Sequence, residues 1–108
     1  MTDKIVVLST CHSEEEARTI ARGLVERRLA ACVQVTPGIS SVYQWQGKVE
    51  EADEFLLVIK SRRDLFDRLQ EELRRMHSYD VPEVVAVPVV DGSADYLKWL
   101  DRELDATG

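Results

Sequence analysis

Residues 29–47 read LAACVQVTPGISSVYQWQG. Apolar side chains fill nearly every second position, a pattern typical of a β-strand with one buried face. The alternation is interrupted at Pro37-Gly38, where proline cannot donate a ladder hydrogen bond and glycine tolerates a bulge. It ends at Gln46-Gly47, which suits a two-residue hairpin turn because glycine accepts a positive φ. The stretch therefore predicts a long, bent strand that turns directly into an antiparallel neighbour.

The segments that precede this strand predict a strand and a helix. Ile5–Leu8 is a short run rich in β-branched residues, as in a buried strand. Ser13 followed by three glutamates has the form of a capping box, with carboxylates favoured by the helix dipole. Apolar residues then recur at helical spacing, so this helix is predicted to run to about Arg28. The long strand itself begins near Ala30.

The segments that follow it complete the pattern. Lys48–Lys60 is the third strand, and its apolar run Phe55–Ile59 lacks polar alternation, which predicts a central strand covered on both faces. A second helix is predicted over Arg62–Met76, with an apolar stripe on one side. Val84–Val90 is a fourth strand, placed at a sheet edge because it contains a proline. Ser93 is predicted to cap a last helix, which carries Tyr96, Leu97, Trp99 and Leu100.

The order βαββαβ with a terminal helix predicts an α+β, ferredoxin-like sandwich in which helices cover one face of the sheet. No linker or repeat divides the sequence, so residues 1–108 are predicted to form a single domain with an extended hairpin between the second and third strands.

The hairpin is too long for a globule of this size. A chain of 108 residues forms a globule roughly 35 Å across, whereas the predicted strand from Ala30 to Gln46 would span roughly 55 Å. A turn at Gln46-Gly47 would pair Trp45 with Lys48 and Tyr43 with Glu50, making an amphipathic ribbon with aromatic residues near its tip. Exposed apolar surface of this kind usually marks a partner, and a second copy of the chain is the simplest one. The alternative is a hairpin that folds over its own uncovered sheet face.

Composition excludes several classes of function. The chain carries 20 acidic against 14 basic side chains, a net charge of −6, so nucleic acid and anionic membranes are not expected partners. No apolar run is long enough to span a membrane, and the start MTDKIVVLST lacks the form of a signal peptide. Two cysteines, Cys11 and Cys32, are too few for a disulfide framework, which favours the cytoplasm and free thiols.

The sequence resembles a known family. The segments LAACV, PG, SVYQWQGKVEE, DEFLLVIKS, HSYDVPEVVAVPV and YLKWL follow one another in the order and spacing of the CutA divalent-cation tolerance proteins, over about residues 5–100. The resemblance implies a homotrimer similar to the nitrogen-regulatory PII proteins, with sheets facing inward and hairpin arms reaching onto neighbouring subunits. It also implies a role in tolerance of copper or other divalent metals, with a possible part in signalling, and no enzymatic activity.

The resemblance also indicates candidate site residues. Cys32 matches the cysteine of the family's LAAC motif and His77 the histidine of its H-P-Y-x-x-P-E motif, where Ser78 replaces the usual proline. Thiolate and imidazole suit copper or zinc, so Cys32 and His77 are the candidate metal ligands. The alternative is that Cys32 is a small buried hydrophobe and His77 a helix C-terminal residue. The predicted ligand-binding cleft between subunits consists of Trp45, Glu54, Lys60, Tyr79 and Glu83.

Other functions are less favoured by the sequence. A thiol enzyme with Cys32 as nucleophile, His77 as base and Asp80 as orienting group is disfavoured, because alanine and valine flank Cys32 and oppose a thiolate. Cys11 and His12 are strand neighbours that point to opposite faces, so they are not expected to share an ion. No phosphate-binding loop supports ATP, although a small anionic or peptide-like ligand remains open for the cleft. A metal-independent trimeric scaffold that docks an unknown protein is the main alternative.

Overall fold

A computed structural model describes residues 1–106. Within that range, one four-stranded antiparallel sheet with strand order β2-β3-β1-β4 carries three α-helices. The strands are β1 (Lys4–Cys11), β2 (Cys32–Trp45), β3 (Lys48–Arg62) and β4 (Val85–Pro88), and the helices are α1 (Glu14–Glu26), α2 (Phe66–Met76) and α3 (Ala94–Glu103). This confirms the α+β, ferredoxin-like prediction, with β3 central and β4 at an edge.

Several element boundaries differ from prediction because they depend on distant partners. β1 begins at Lys4 and runs to Cys11, since each of its residues pairs with β3. Arg62, predicted as the start of the second helix, instead pairs with Lys4 at the end of the β1–β3 ladder. A 3-10 turn, Arg63–Leu65, then leads into α2. β4 is shorter than predicted because only Val85–Pro88 pairs with β1.

The helix caps and the core follow the sequence pattern. The Ser13 hydroxyl accepts a hydrogen bond from the Glu16 backbone N–H, and the Ser93 hydroxyl accepts one from Tyr96. Both caps satisfy backbone donors that a helix start leaves free. One face of the sheet packs on the helices through a fully buried core, made of Val7, Leu57, Ile59, Ile20, Leu24, Leu69 and Leu73.

Among residues 1–106, no helix lies on the opposite face of the sheet, which we call the open face. Because side chains alternate along a strand, residues one position away from the core residues point to this face. Leu56 and Val58 of β3 are half-buried, so the prediction that Phe55–Ile59 is covered on both faces is not met within one chain. The apolar members of the open face are Val6, Leu8, Leu56, Val58, Val85 and Val87.

The hairpin of β2 and β3 extends away from the sheet as an arm. A register shift between Thr36 and Ile39 places the predicted bulge at Pro37-Gly38, with Gly38 at φ 77°. Beyond it Trp45 pairs with Lys48 and the turn residues Gln46 and Gly47 have φ of 52° and 80°. The chain measures 44 × 25 × 22 Å. The arm is therefore extended and does not fold over its own sheet face.

Candidate functional site

The two cysteines lie on opposite faces of the sheet. Cys11 pairs with Phe55 of β3, whereas Cys32 pairs with Lys60, five residues further along the same strand. An odd separation along a strand reverses the face. Cys11 therefore lies among the helices, where it is fully buried, and Cys32 is half-buried on the open face.

A cavity lies where the arm joins the sheet, and we call it the arm cavity. Its volume is about 570 Å³. Trp45 and Tyr43 border it from the arm, and Tyr79 and Glu83 border it from the segment between α2 and β4. Glu54 of β3 lies at its base. The structure thus brings together four of the five residues predicted for the ligand-binding cleft: Trp45, Glu54, Tyr79 and Glu83.

A buried hydrogen bond anchors this cavity. Glu54 is only 7% exposed, and the Tyr79 hydroxyl donates to its Oε2 atom over 2.8 Å. Burial, together with this hydrogen bond and the carboxylate charge, raises the pKa of Tyr79 well above its usual range. The phenol is therefore a stable donor at neutral pH, and its bond satisfies a carboxylate that would otherwise be costly to bury.

Lys60, the fifth predicted cleft residue, lies outside the arm cavity. It is on the open face opposite Cys32, and its Nζ atom donates to the Gln34 side chain over 3.1 Å. The charged side chains that border the cavity are all acidic, namely Glu54, Asp80 and Glu83. Within residues 1–106 this cavity therefore favours a cation or amine over an anionic ligand.

His77 is held by hydrogen bonds on both ring nitrogens. Its side chain is 0% exposed. Nε2 lies 2.7 Å from the Thr10 carbonyl oxygen, and Nδ1 accepts from the Tyr79 backbone N–H over 3.1 Å. The second bond ties the turn after α2 together even though Ser78 stands where the family has proline.

His77 contacts Cys11 and Glu16, two residues that the predicted site did not include. The Cys11 Sγ atom is 3.7 Å from His77 Nε2, and Glu16 Oε1 is 3.4 Å from His77 Nδ1. The strand-to-helix turn after Cys11 brings the first turn of α1 back over the strand end, which the short spacing from Cys11 to Glu16 could have indicated. Cys32 and His77, in contrast, are not brought together within one chain.

The Cys11 thiol is unreactive in this setting. Burial first, and then the charges of Glu16 and Glu54, raise its pKa to about 12. A thiol that stays protonated at neutral pH is a poor nucleophile. Within residues 1–106, Cys11, Glu16 and His77 form the one cluster of metal-ligating side chains, with ligand atoms within 4.8 Å of one another.

The fold and the cavity together define a class of protein: a ferredoxin-like protomer with a long hairpin arm and an acidic, aromatic cavity at the arm's base. The family described as CutA1 divalent ion tolerance protein matches residues 5–103. The chain belongs to this family, as its motifs had indicated.

Relatives and solved structures agree with this assignment. The divalent-cation tolerance protein CutA of Thermus thermophilus is 53% identical over 95 residues, which are 88% of this chain and 92% of that protein. The chloroplastic protein CutA of Arabidopsis thaliana is 48% identical over 96 residues, 89% of this chain but only 53% of that protein. The chain thus spans about half the length of some curated relatives.

The solved structures match the whole fold. A divalent cation tolerance protein (Cut A1) from Thermus thermophilus superimposes with a TM-score of 0.93 at 49% identity, covering 94% of this chain and 99% of that one. CutA1 from Oryza sativa gives a TM-score of 0.94 at 43% identity, with coverages of 96% and 95%. Among residues 1–106, none of the helices has the length and apolar character needed to cross a membrane.

Proposed function

We propose that this chain is a single-domain, cytoplasmic, non-enzymatic divalent-cation tolerance protein that assembles as a homotrimer similar to PII proteins. Clefts between its subunits bind copper, zinc or a small effector, and occupancy is signalled to a protein partner. The observation that carries this proposal is the open face, an apolar sheet surface left bare beside an extended arm.

The open face supports assembly with further copies of the chain. Val85 and Val87 are 47% and 48% exposed, and Leu56 and Val58 are half-buried, in a chain that otherwise has a closed core. A two-stranded arm is barely stable alone in water, yet Trp45 is 51% exposed near its tip. A closed symmetric oligomer covers such surfaces on every copy at once.

The arm cavity supports binding of a cation. Its carboxylates and aromatic rings attract positive charge. Cys32 and Lys60 lie on the open face, so they would reach a cleft only where a neighbouring subunit packs against that face. Trp45 and Tyr43 belong both to the cavity and to the arm. A ligand that favours one arm conformation would therefore change the surface offered to a partner.

Calorimetry tests this proposal. We expect Cu²⁺ or Zn²⁺ to give a binding isotherm with the wild-type chain. The heats of binding to Cys32→Ala and His77→Ala are then compared with the wild-type heat. A reduced heat in Cys32→Ala would support a shared metal cleft on the open face. Equal heats from wild type and Cys32→Ala would remove Cys32 from the site.

A second candidate function is a metal-independent trimeric scaffold that docks another protein. The observation that favours it is the exposed apolar tip of the arm, where Val42 and Val49 are 64% and 65% exposed. Capture of partners from lysate, with and without a chelator, separates the two functions. A partner lost in chelator indicates a metal-dependent function, and a partner retained indicates the scaffold.

A further inference from the structure

The tautomer of His77 follows from its hydrogen bonds. The Thr10 carbonyl oxygen can only accept, so Nε2, which lies 2.7 Å from it, carries the ring proton. The Tyr79 backbone N–H can only donate, so Nδ1 carries a lone pair. These two hydrogen bonds place the ring proton on Nε2 and the lone pair on Nδ1.

Glu16 lies beside the same ring nitrogen. Its Oε1 atom is buried without a hydrogen-bond partner among the described residues, and it lies 3.4 Å from His77 Nδ1. An unsatisfied buried carboxylate oxygen is costly. A positive charge at this position would remove that cost.

Cys11 provides a third ligand atom beside this pair. Its Sγ atom is 3.7 Å from His77 Nε2, and the three side chains offer ligand atoms within 4.8 Å of one another. Ligands bonded to one zinc ion at about 2.0–2.3 Å lie roughly 3.5 Å apart in a tetrahedral site. Atoms up to 4.8 Å apart would have to close by about 1 Å to reach this spacing, and the Cys11 sulfur, which contacts Nε2, would have to move toward Nδ1.

We propose that Cys11, Glu16 and His77 form a binding site for one borderline divalent transition-metal ion, of the type of Zn²⁺ or Co²⁺. The ion is held by the Cys11 sulfur, Glu16 Oε1 and His77 Nδ1. The Cys11 proton is released to water as the metal–sulfur bond forms, so the bound dication and its two anionic ligands are neutral together. Thiolate and imidazole select against Mg²⁺ and Ca²⁺, which prefer oxygen.

The surroundings of His77 suit this role. Its Nε2–H bond to the Thr10 carbonyl fixes the ring in the orientation and tautomer that Nδ1 ligation needs, as outer partners commonly do in metal sites. Two contacts of the ring must be given up, namely the hydrogen bond from the Tyr79 backbone N–H and the contact of the Cys11 sulfur with Nε2. Since the Tyr79 hydroxyl also holds Glu54, metal binding would act directly on the arm cavity. Access is past Glu16, whose side chain is 15% exposed.

This site rests on the divalent-metal part of the proposed function but not on the oligomer, because all three ligands belong to one chain. It also differs from the predicted pairing of Cys32 with His77, which lie apart within the protomer. The two cysteines therefore form a matched pair of variants, one for each site.

The test is a Co²⁺ titration of the full chain, reduced and freed of metal, followed by thiolate-to-cobalt absorption and then by displacement with Zn²⁺. We expect the Cys11 site to bind one ion per chain in wild type and in Cys32→Ser alike, and any ion in a cleft between subunits to be lost in Cys32→Ser alone. Cys11→Ser should lose the thiolate band and bind at least about tenfold more weakly. A Cys11→Ser protein that titrates like wild type would overturn the site.

Glu16→Gln provides a variant that keeps the shape of the cluster. Its uncharged amide has nearly the same volume as the carboxylate, so the metal-free protein should still fold while Zn²⁺ affinity falls at least about tenfold. Unchanged Zn²⁺ affinity would contradict the site even if Cys11→Ser failed to fold.

The outcomes separate this site from the proposed function. Loss of metal in Cys32→Ser with retention in Cys11→Ser would overturn the inference and support the cleft between subunits. A wild-type chain that binds neither ion would overturn both the site and the metal part of the proposed function. Binding through Cys11 by a protein of monomeric mass would support the site and remove the intersubunit cleft.

Discussion

Glu54 is a carboxylate almost fully withdrawn from water where the arm meets the sheet. The resemblance predicts it in a ligand-binding cleft, and in the structure the Tyr79 hydroxyl donates a hydrogen bond to it over 2.8 Å. A buried charge with a hydrogen-bond donor is tolerable, whereas one without a donor destabilises the fold. The pair therefore supports both the stability of the chain and the shape of the arm cavity.

Removing the Tyr79 hydroxyl tests this pair. Tyr79→Phe leaves the Glu54 carboxylate without its donor, so we expect the free energy of unfolding to fall by about 1–3 kcal/mol at neutral pH. Because the pKa of Tyr79 is raised on folding, the contribution of its hydroxyl is complete below about pH 10, the ordinary tyrosine value, and is lost only as pH rises above it. Urea unfolding at one fixed protein concentration measures the change.

A matched control is available on α3. Tyr96 is 42% exposed, so Tyr96→Phe should change the free energy of unfolding by no more than about 0.5 kcal/mol. Equal stabilities for Tyr79→Phe and Tyr96→Phe would show that the Glu54 contact contributes nothing.

Single residues were the hardest feature to predict. The resemblance predicts Trp45, Glu54, Tyr79 and Glu83 in one cleft, and in the structure these four residues border one cavity. The contact of His77 with Cys11 joins residues 66 positions apart, and no local pattern encodes that distance. Lys60 was assigned to the same cleft, but strand alternation and its ladder position place it with Cys32 on the open face.

At the scale of elements, local chemistry determined what could be predicted. The arm, its bulge and its turn follow from alternation, Pro37-Gly38 and Gln46-Gly47, all of which act through neighbouring residues. The ends of β3 and β4 depend instead on ladder partners in β1, which lie far away in sequence. The helical pattern therefore predicts a helix that starts at Arg62, although Arg62 pairs with Lys4 in the sheet.

The hairpin turn gives a prediction at this scale. Gly47 has φ 80°, and a Cβ atom there would meet nothing within 4 Å, so the cost of Gly47→Ala is purely a matter of backbone conformation. We expect a loss of about 1 kcal/mol in the free energy of unfolding.

Gln46 has φ 52°, and Gln46→Asn should be neutral or stabilising by a few tenths of a kcal/mol because asparagine tolerates this region better. Urea unfolding measures the stability of both variants. A Gly47→Ala protein as stable as wild type would contradict this description of the turn.

At the scale of the whole molecule, a single chain leaves apolar surface exposed that a closed globule would bury. Helices cover one face of its sheet, and the other face remains bare beside an arm that stretches the chain to 44 Å. The length of the chain and the polarity of its strands predict both features, and the family assignment agrees with them. The proposed metal and effector clefts require that further copies of the chain pack on the open face. The Cys11 cluster lies within one chain and does not require them.

Light scattering coupled to size exclusion tests the central claim most directly, because it measures the mass of the assembled protein at micromolar concentration. The account predicts about 37 kDa, three times the 12.3 kDa mass of one chain. Val87→Glu places a charge on the open face and should lower this mass, whereas Val25→Glu on α1, at a valine of similar exposure, should not. A wild-type mass near 12.3 kDa would contradict the account.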